Sequence, residues 1–135
     1  MQYYEMKSYR FQVAEDTELE LINNIPNIEF DWFSVSNRKI QIKKGYTWDG
    51  ASGPTINTKD TIKASLIHDC LYQAMRLGII DESNRKTADK ELRGQMIKAG
   101  CCKIRAYIWY IMVRLFGTNS AKKGNLQGKE IKQSC

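Results

Sequence analysis

The sequence predicts an α+β fold, a small antiparallel N-terminal sheet followed by three helices. Three observations predict it. Up to residue 44, apolar and polar residues alternate with a period of two, as in strands with one wet face. From about residue 59, apolar residues recur three and four apart, as on one side of a helix. Between the two lies Gly45-Tyr46-Thr47-Trp48-Asp49-Gly50-Ala51-Ser52-Gly53-Pro54, whose glycines and proline mark a loop over 45–58.

The strands come first. Tyr9-Arg10-Phe11-Gln12-Val13 alternates, and so does Glu18-Leu19-Glu20-Leu21-Ile22 until Asn23-Asn24 stops it. Ile28-Glu29-Phe30-Asp31-Trp32-Phe33-Ser34-Val35 is rich in the aromatic and branched residues that strands favour. Arg38-Lys39-Ile40-Gln41-Ile42-Lys43-Lys44 puts Ile40 and Ile42 on one face and charges on the other. Ser36-Asn37 predicts a hairpin turn between these last two.

The helices follow. Thr58 or Asp60 caps the first, which runs to about Met75 or Leu77 before Gly78. A turn at Ile80-Asp81-Glu82-Ser83 carries a second cap, and the next helix runs from about Ser83 to Ala99, ended by Gly100. The third spans about Lys103 to Phe116, ended by Gly117. In it Ile104, Ile108, Ile111 and Leu115 form a stripe, widened by Tyr107, Trp109, Tyr110, Met112, Val113 and Phe116. A helix apolar all round predicts a buried core helix rather than a membrane-surface or partner-binding one. It is too short to span a bilayer.

A length of 135 residues predicts one globular domain over 1–117, with a basic flexible tail over 118–135. The charge is +6, from 21 basic against 15 acidic residues, and the tail adds Lys122, Lys123, Lys129 and Lys132 against Glu130. Such a balance suits contact with nucleic acid or acidic lipid, but no sequence-specific nucleic-acid motif accompanies it. Cys70, Cys101, Cys102 and Cys135 form neither a disulfide framework nor a zinc-binding pair, which predicts a reducing compartment. With no signal-peptide run and no transmembrane segment, the expected location is the cytoplasm of a bacterial host or a virion.

His68 is the single histidine, and Asp69 follows it. Histidine alone titrates near neutral pH when unperturbed, so His68 is the candidate proton carrier. On a helix it shares a face with Ala64, Leu71 and Tyr72, while Asp89 shares one with Arg85, Leu92 and Arg93. A short connection packs the two helices antiparallel, so His68 and Asp89 meet, the carboxylate orienting the imidazole. Asp69 lies about 100° round the helix and looks elsewhere, toward the 45–54 loop with Asp49. Loop carbonyls and carboxylates suit calcium, and an imidazole with carboxylates suits zinc or manganese. A bland alternative stands beside this, in which His68 is a structural histidine and Asp69 and Asp89 are caps or ion-pair partners (Arg85 is one turn from Asp89). Cys70 is read as core.

The segments Gly45-Tyr46-x-x-Asp49-Gly50-Ala51-Ser52-x-Pro54, His68-Asp69-x-Leu71-Tyr72, Arg85-x-x-Ala88-Asp89 and Val113-Arg114-x-Phe116-Gly117 carry a resemblance. Over roughly residues 38–117 the chain resembles a small family found in phages and bacteria, domain-of-unknown-function family 1353. A shorter stretch, His68-Asp69-x-x-Tyr72 with a later Asp, looks like the core of secreted phospholipases of the A2 class. That resemblance implies His68 as general base, Asp69 as calcium ligand and Asp89 as orienter. The chain departs from that pattern, since the cysteines flanking that dyad are missing and the upstream loop is not their calcium loop.

The expected function is a phage-type, metal-assisted hydrolase acting on ester or phosphoester bonds. Its catalytic residues are His68 and Asp89, its metal ligands Asp49 and Asp69, and its binding loop Tyr46, Trp48, Gly50 and Ser52. The expected partners are phospholipid or a host protein. The alternative is a non-catalytic interaction protein, a virion component or a host-defence inhibitor, that binds through the Trp48 loop and the basic surface.

Overall fold

The computed structural model describes residues 2–6, 10–48 and 59–124. Strands β1 (Tyr3–Met6), β2 (Arg10–Val13) and β7 (Thr47–Trp48) form one antiparallel sheet in the order β1-β2-β7. Strands β3 (Thr17–Glu20), β4 (Ile28–Glu29), β5 (Phe33–Ser36) and β6 (Lys39–Ile42) form a second, in the order β3-β6-β5-β4. Helices α1 (Lys59–Arg76), α2 (Arg85–Lys98), α3 (Lys103–Phe116) and α4 (Thr118–Ala121) follow, with a 3-10 turn at Glu82–Asn84 leading into α2. The class is α+β, as the change of period predicts.

Several details differ from expectation. The strand residues divide into two sheets rather than one. The run 28–35 is not one strand: it turns at Phe30–Trp32, where the Phe30 amide donates to the Phe33 carbonyl, and pairs with itself as β4 and β5. The β5–β6 hairpin turns at Asn37 and Arg38, both at positive φ, one residue later than Ser36-Asn37. Two successive positive-φ residues match the right-handed twist of the flanking strands. Part of the expected loop is strand β7. The expected tail also starts too early, because α4 packs on α1. Ala121 is buried, Arg76 donates to the Ser120 carbonyl, and Gly124 donates back to the Arg76 carbonyl.

One hydrophobic core joins both sheets to α1. Phe11, Val13, Phe33, Val35, Ile40 and Ile42 meet Leu66, Ile67, Leu71 and Met75, all essentially sealed from water. A smaller core holds Ala64, Leu92, Met96, Cys101, Ala106 and Trp109. Ala64 early in α1 therefore packs with Leu92 and Met96 late in α2, so these helices run antiparallel. Glu91 and Gln95 of α2, both fully buried, tie the helices to the second sheet. The Glu91 carboxylate accepts from the Ile22 and Asn23 amides, the Asn23 side chain and Gln95, and Gln95 also donates to the Glu20 carbonyl.

The third helix corrects the sequence reading most. Only Ala106 and Trp109 of α3 are buried. Ile104, Ile108 and Leu115 of the predicted core stripe are 76%, 52% and 65% exposed, as are Tyr107 and Phe116 in large part. The opposite side, Ala106, Trp109 and Val113, packs inward.

Candidate functional site

The site is assembled where α1, α2 and the end of α3 meet, and its centre is Asp89. This carboxylate has no solvent exposure. One oxygen, Oδ1, accepts from His68 Nε2 at 2.8 Å and from the Tyr72 hydroxyl at 2.6 Å. The other, Oδ2, lies 2.9 Å from an Arg114 guanidinium nitrogen and 3.6 Å from one of Arg85. Helical spacing makes this possible. His68 and Tyr72 are one turn apart on α1, and Arg85 and Asp89 one turn apart on α2. Arg85 also donates to the Val113 and Arg114 carbonyls, so it closes the last turn of α3 and holds it against the start of α2.

A buried carboxylate is costly unless it is paired and hydrogen-bonded. Burial opposes the ionisation of Asp89, but the hydrogen bond and charge of His68, with the hydroxyl of Tyr72 and the guanidinium of Arg114, outweigh it. Its carboxyl therefore titrates below the ordinary value. Burial first, and then the adjacent Asp89 charge, push the Tyr72 hydroxyl far above its ordinary value, so Tyr72 remains a donor. An ionised Asp89 accepts only, so the His68 ring donates to it through Nε2–H, and Nδ1 lies outside that bond. The His68 and Tyr72 rings stack with centroids 4.1 Å apart, which fixes the imidazole plane. Among the described residues the ring has no other hydrogen bond, and a tenth of the His68 side chain is open to solvent.

Asp69 sits on another face of α1, half-buried, in the surroundings of Tyr46. Burial, with nearby Cys70 and Asp69, pushes the Tyr46 hydroxyl well above its ordinary value. Tyr46 and Trp48 are not a binding face. Both are fully buried, Tyr46 donating to Gln73 at 2.8 Å and Trp48 to Ser65 at 3.0 Å. Strand β7 carries Trp48 inward against Phe11 and Tyr3, where a large aromatic side chain gains most from leaving water. Asp49, Gly50 and Ser52 lie outside the described residues. Among the described residues, no group of three or more histidine, cysteine, aspartate or glutamate side chains could hold a metal ion.

Sequence reasoning missed the roles of Tyr72, Arg114 and Gly117, and read Arg85 only as a partner in the bland alternative. Arg114 had a signal, being the one charge in the last turns of an apolar helix. Gly117 had only the signal of a helix end. In the fold it lies against Tyr72, where a Cβ would stand 2.6 Å from the tyrosine oxygen.

No curated protein and no solved structure matches the chain. The likeness to secreted phospholipases thus rests on the short motif around His68 alone. The family described as "Protein of unknown function (DUF1353)" has a model that matches residues 27–113, a span that runs from β4 through His68 and Asp89 nearly to Arg114, and the chain belongs to that family.

Proposed function

We propose that the protein is a hydrolase in which the His68–Asp89 dyad activates water for attack on an ester or phosphoester bond. The observation that carries this reading is the 2.8 Å contact from His68 Nε2 to Asp89 Oδ1, which leaves Nδ1 as the basic atom. In the proposed step Nδ1 takes a proton from water as the water oxygen bonds to the carbonyl carbon or phosphorus. Asp89 stabilises the imidazolium, which then returns the proton to the leaving oxygen. Arg85 and Arg114 outnumber Asp89, so the cluster keeps one net positive charge with His68 neutral, which favours an anionic substrate. A divalent cation at Asp69 and Asp49 belongs to the same proposal, and metal analysis of purified protein tests it. No step above depends on it. Phage origin is likewise proposed, from the sequence resemblance.

The test is turnover on a panel of phospholipid and phosphodiester substrates, with and without calcium. Wild type should turn over at least one of them. His68→Ala should lose about 10²–10⁴ in rate, as removal of a general base does. It should lose only about 1 kcal/mol of stability, because Asp89 keeps Tyr72, Arg85 and Arg114. A wild type inert on the whole panel, or a His68→Ala protein with undiminished turnover, overturns the hydrolytic reading. One observation favours a second reading, a non-catalytic interaction protein. Asp89 binds residues of three helices, which is also what a structural strut between them would do.

A further inference from the structure

The outer face of α3 is an apolar surface flanked along the chain by lysines. Ile104, Ile108 and Leu115 point outward, with Tyr107 beside them and Phe116 at the end, all more than half exposed. This is unusual for a monomer, in which large apolar side chains normally scatter rather than align along a helix. The surrounding sequence has no acid at all. From Leu92 to Gly124 there is no Asp or Glu, while Lys98, Lys103, Lys122 and Lys123 are exposed. Lys103 stands at the first turn of α3, where the helix dipole disfavours a cation, and no acid balances it there.

Three occupants are possible for such a face, and two fit poorly. A covering segment of this chain is a poor match, since the sequence of residues 1, 7–9, 49–58 and 125–135 contains no run of apolar side chains. A second copy would set lysines against lysines, since residues 92–124 hold no acid and the nearby Glu82 already accepts from the Lys123 amide. An anionic bilayer surface offers what this face lacks, apolar depth for the isoleucines, Leu115 and Phe116, and negative headgroups for the lysines.

We propose that α3 docks the protein on anionic lipid bilayers, lying in the interfacial plane with Ile104, Ile108 and Leu115 inserted. Tyr107 sits at headgroup level, where an amphipathic ring is most stable. Lys98 and Lys103 at one end of the helix, and Lys122 beyond the other, contact the headgroups. No helix among the described residues is long and apolar enough to cross a membrane, so the association is peripheral. The proposal stands apart from hydrolysis, since docking requires no turnover.

Flotation of the full chain with vesicles tests it. Vesicles of equal parts phosphatidylcholine and phosphatidylglycerol should carry the protein, and vesicles of phosphatidylcholine alone should carry far less. Ile108→Glu and Lys103→Glu change exposed side chains, so both should melt like wild type. Each should lower partitioning by about tenfold or more. Absence of flotation overturns the proposal. So does equal binding to both vesicle types, which would leave the lysines no part in it. A concentration-dependent dimer that Ile108→Glu abolishes, without vesicle binding, overturns it in favour of a second copy on this face.

Discussion

Asp89 is the residue on which the helical half depends. It is buried, ionised and shared among His68, Tyr72, Arg85 and Arg114. Its removal differs from the removal of any one partner. Asp89→Ala would leave two guanidiniums, an imidazole and a hydroxyl facing a void, and should cost about 3 kcal/mol or more in a denaturant melt. The acid limb of the stability profile should report the same group. Its folded pKa is depressed, so its contribution is fully present above the unfolded value of about 4 and is lost as pH falls through the lower folded value. Wild type should therefore lose stability below about pH 4 more steeply than Asp89→Asn. Parallel acid limbs for the two proteins would mean that Asp89 is not ionised in the fold.

At the scale of elements, the end of α3 is locked by close approach. Arg85 closes its last carbonyls, and Gly117 then passes beside the Tyr72 hydroxyl with no room for a side chain. A Cβ at 117 would also stand 2.5 Å from the Val113 carbonyl oxygen, which is backbone and cannot swing aside. Gly117→Ala should therefore displace Tyr72 or the end of α3, and destabilise by about 1–3 kcal/mol, the usual range for overpacking. If the hydrolytic reading holds, the same substitution should lower turnover, because Tyr72 stacks on the His68 ring. A Gly117→Ala protein with unchanged melting and an unshifted Tyr72 hydroxyl resonance would contradict this packing.

Across the whole molecule, the sheets and the helices are joined by apolar burial and by one polar clasp. Glu91 satisfies the amides of Ile22 and Asn23 just past β3, and Gln95 reaches the Glu20 carbonyl. A buried amide that loses its acceptor costs about 1–3 kcal/mol. Glu91→Ala leaves two amides and the Asn23 side chain without it, so its midpoint in urea should fall clearly. Hydrogen exchange should show Ile22 and Asn23 as the first amides to lose protection, while the Asp89 cluster stays protected. Uniform loss across both halves would show that they unfold only as one unit.

Local periodicity was enough for the α+β class, the ends of the three long helices and the meeting of His68 with Asp89. Each of these rests on short-range geometry: alternation in strands, spacing of three and four in helices, and a short connection between α1 and α2. The inward side of α3 was not legible. Ile104-Ile108-Ile111-Leu115 and Ala106-Trp109-Val113 both have helical spacing, and hydropathy alone favours the bulkier stripe. Only the packed fold shows that small Ala106 lets α3 approach Leu92 and Met96, so that the bulky stripe faces out. Trp48 likewise reads as a loop aromatic until β7 pairs with β2 and carries it under Tyr3 and Phe11. Arg114 joins Asp89 from 25 residues away, a contact no local pattern encodes. Periodicity records which residues share a face, and long-range packing decides what that face meets.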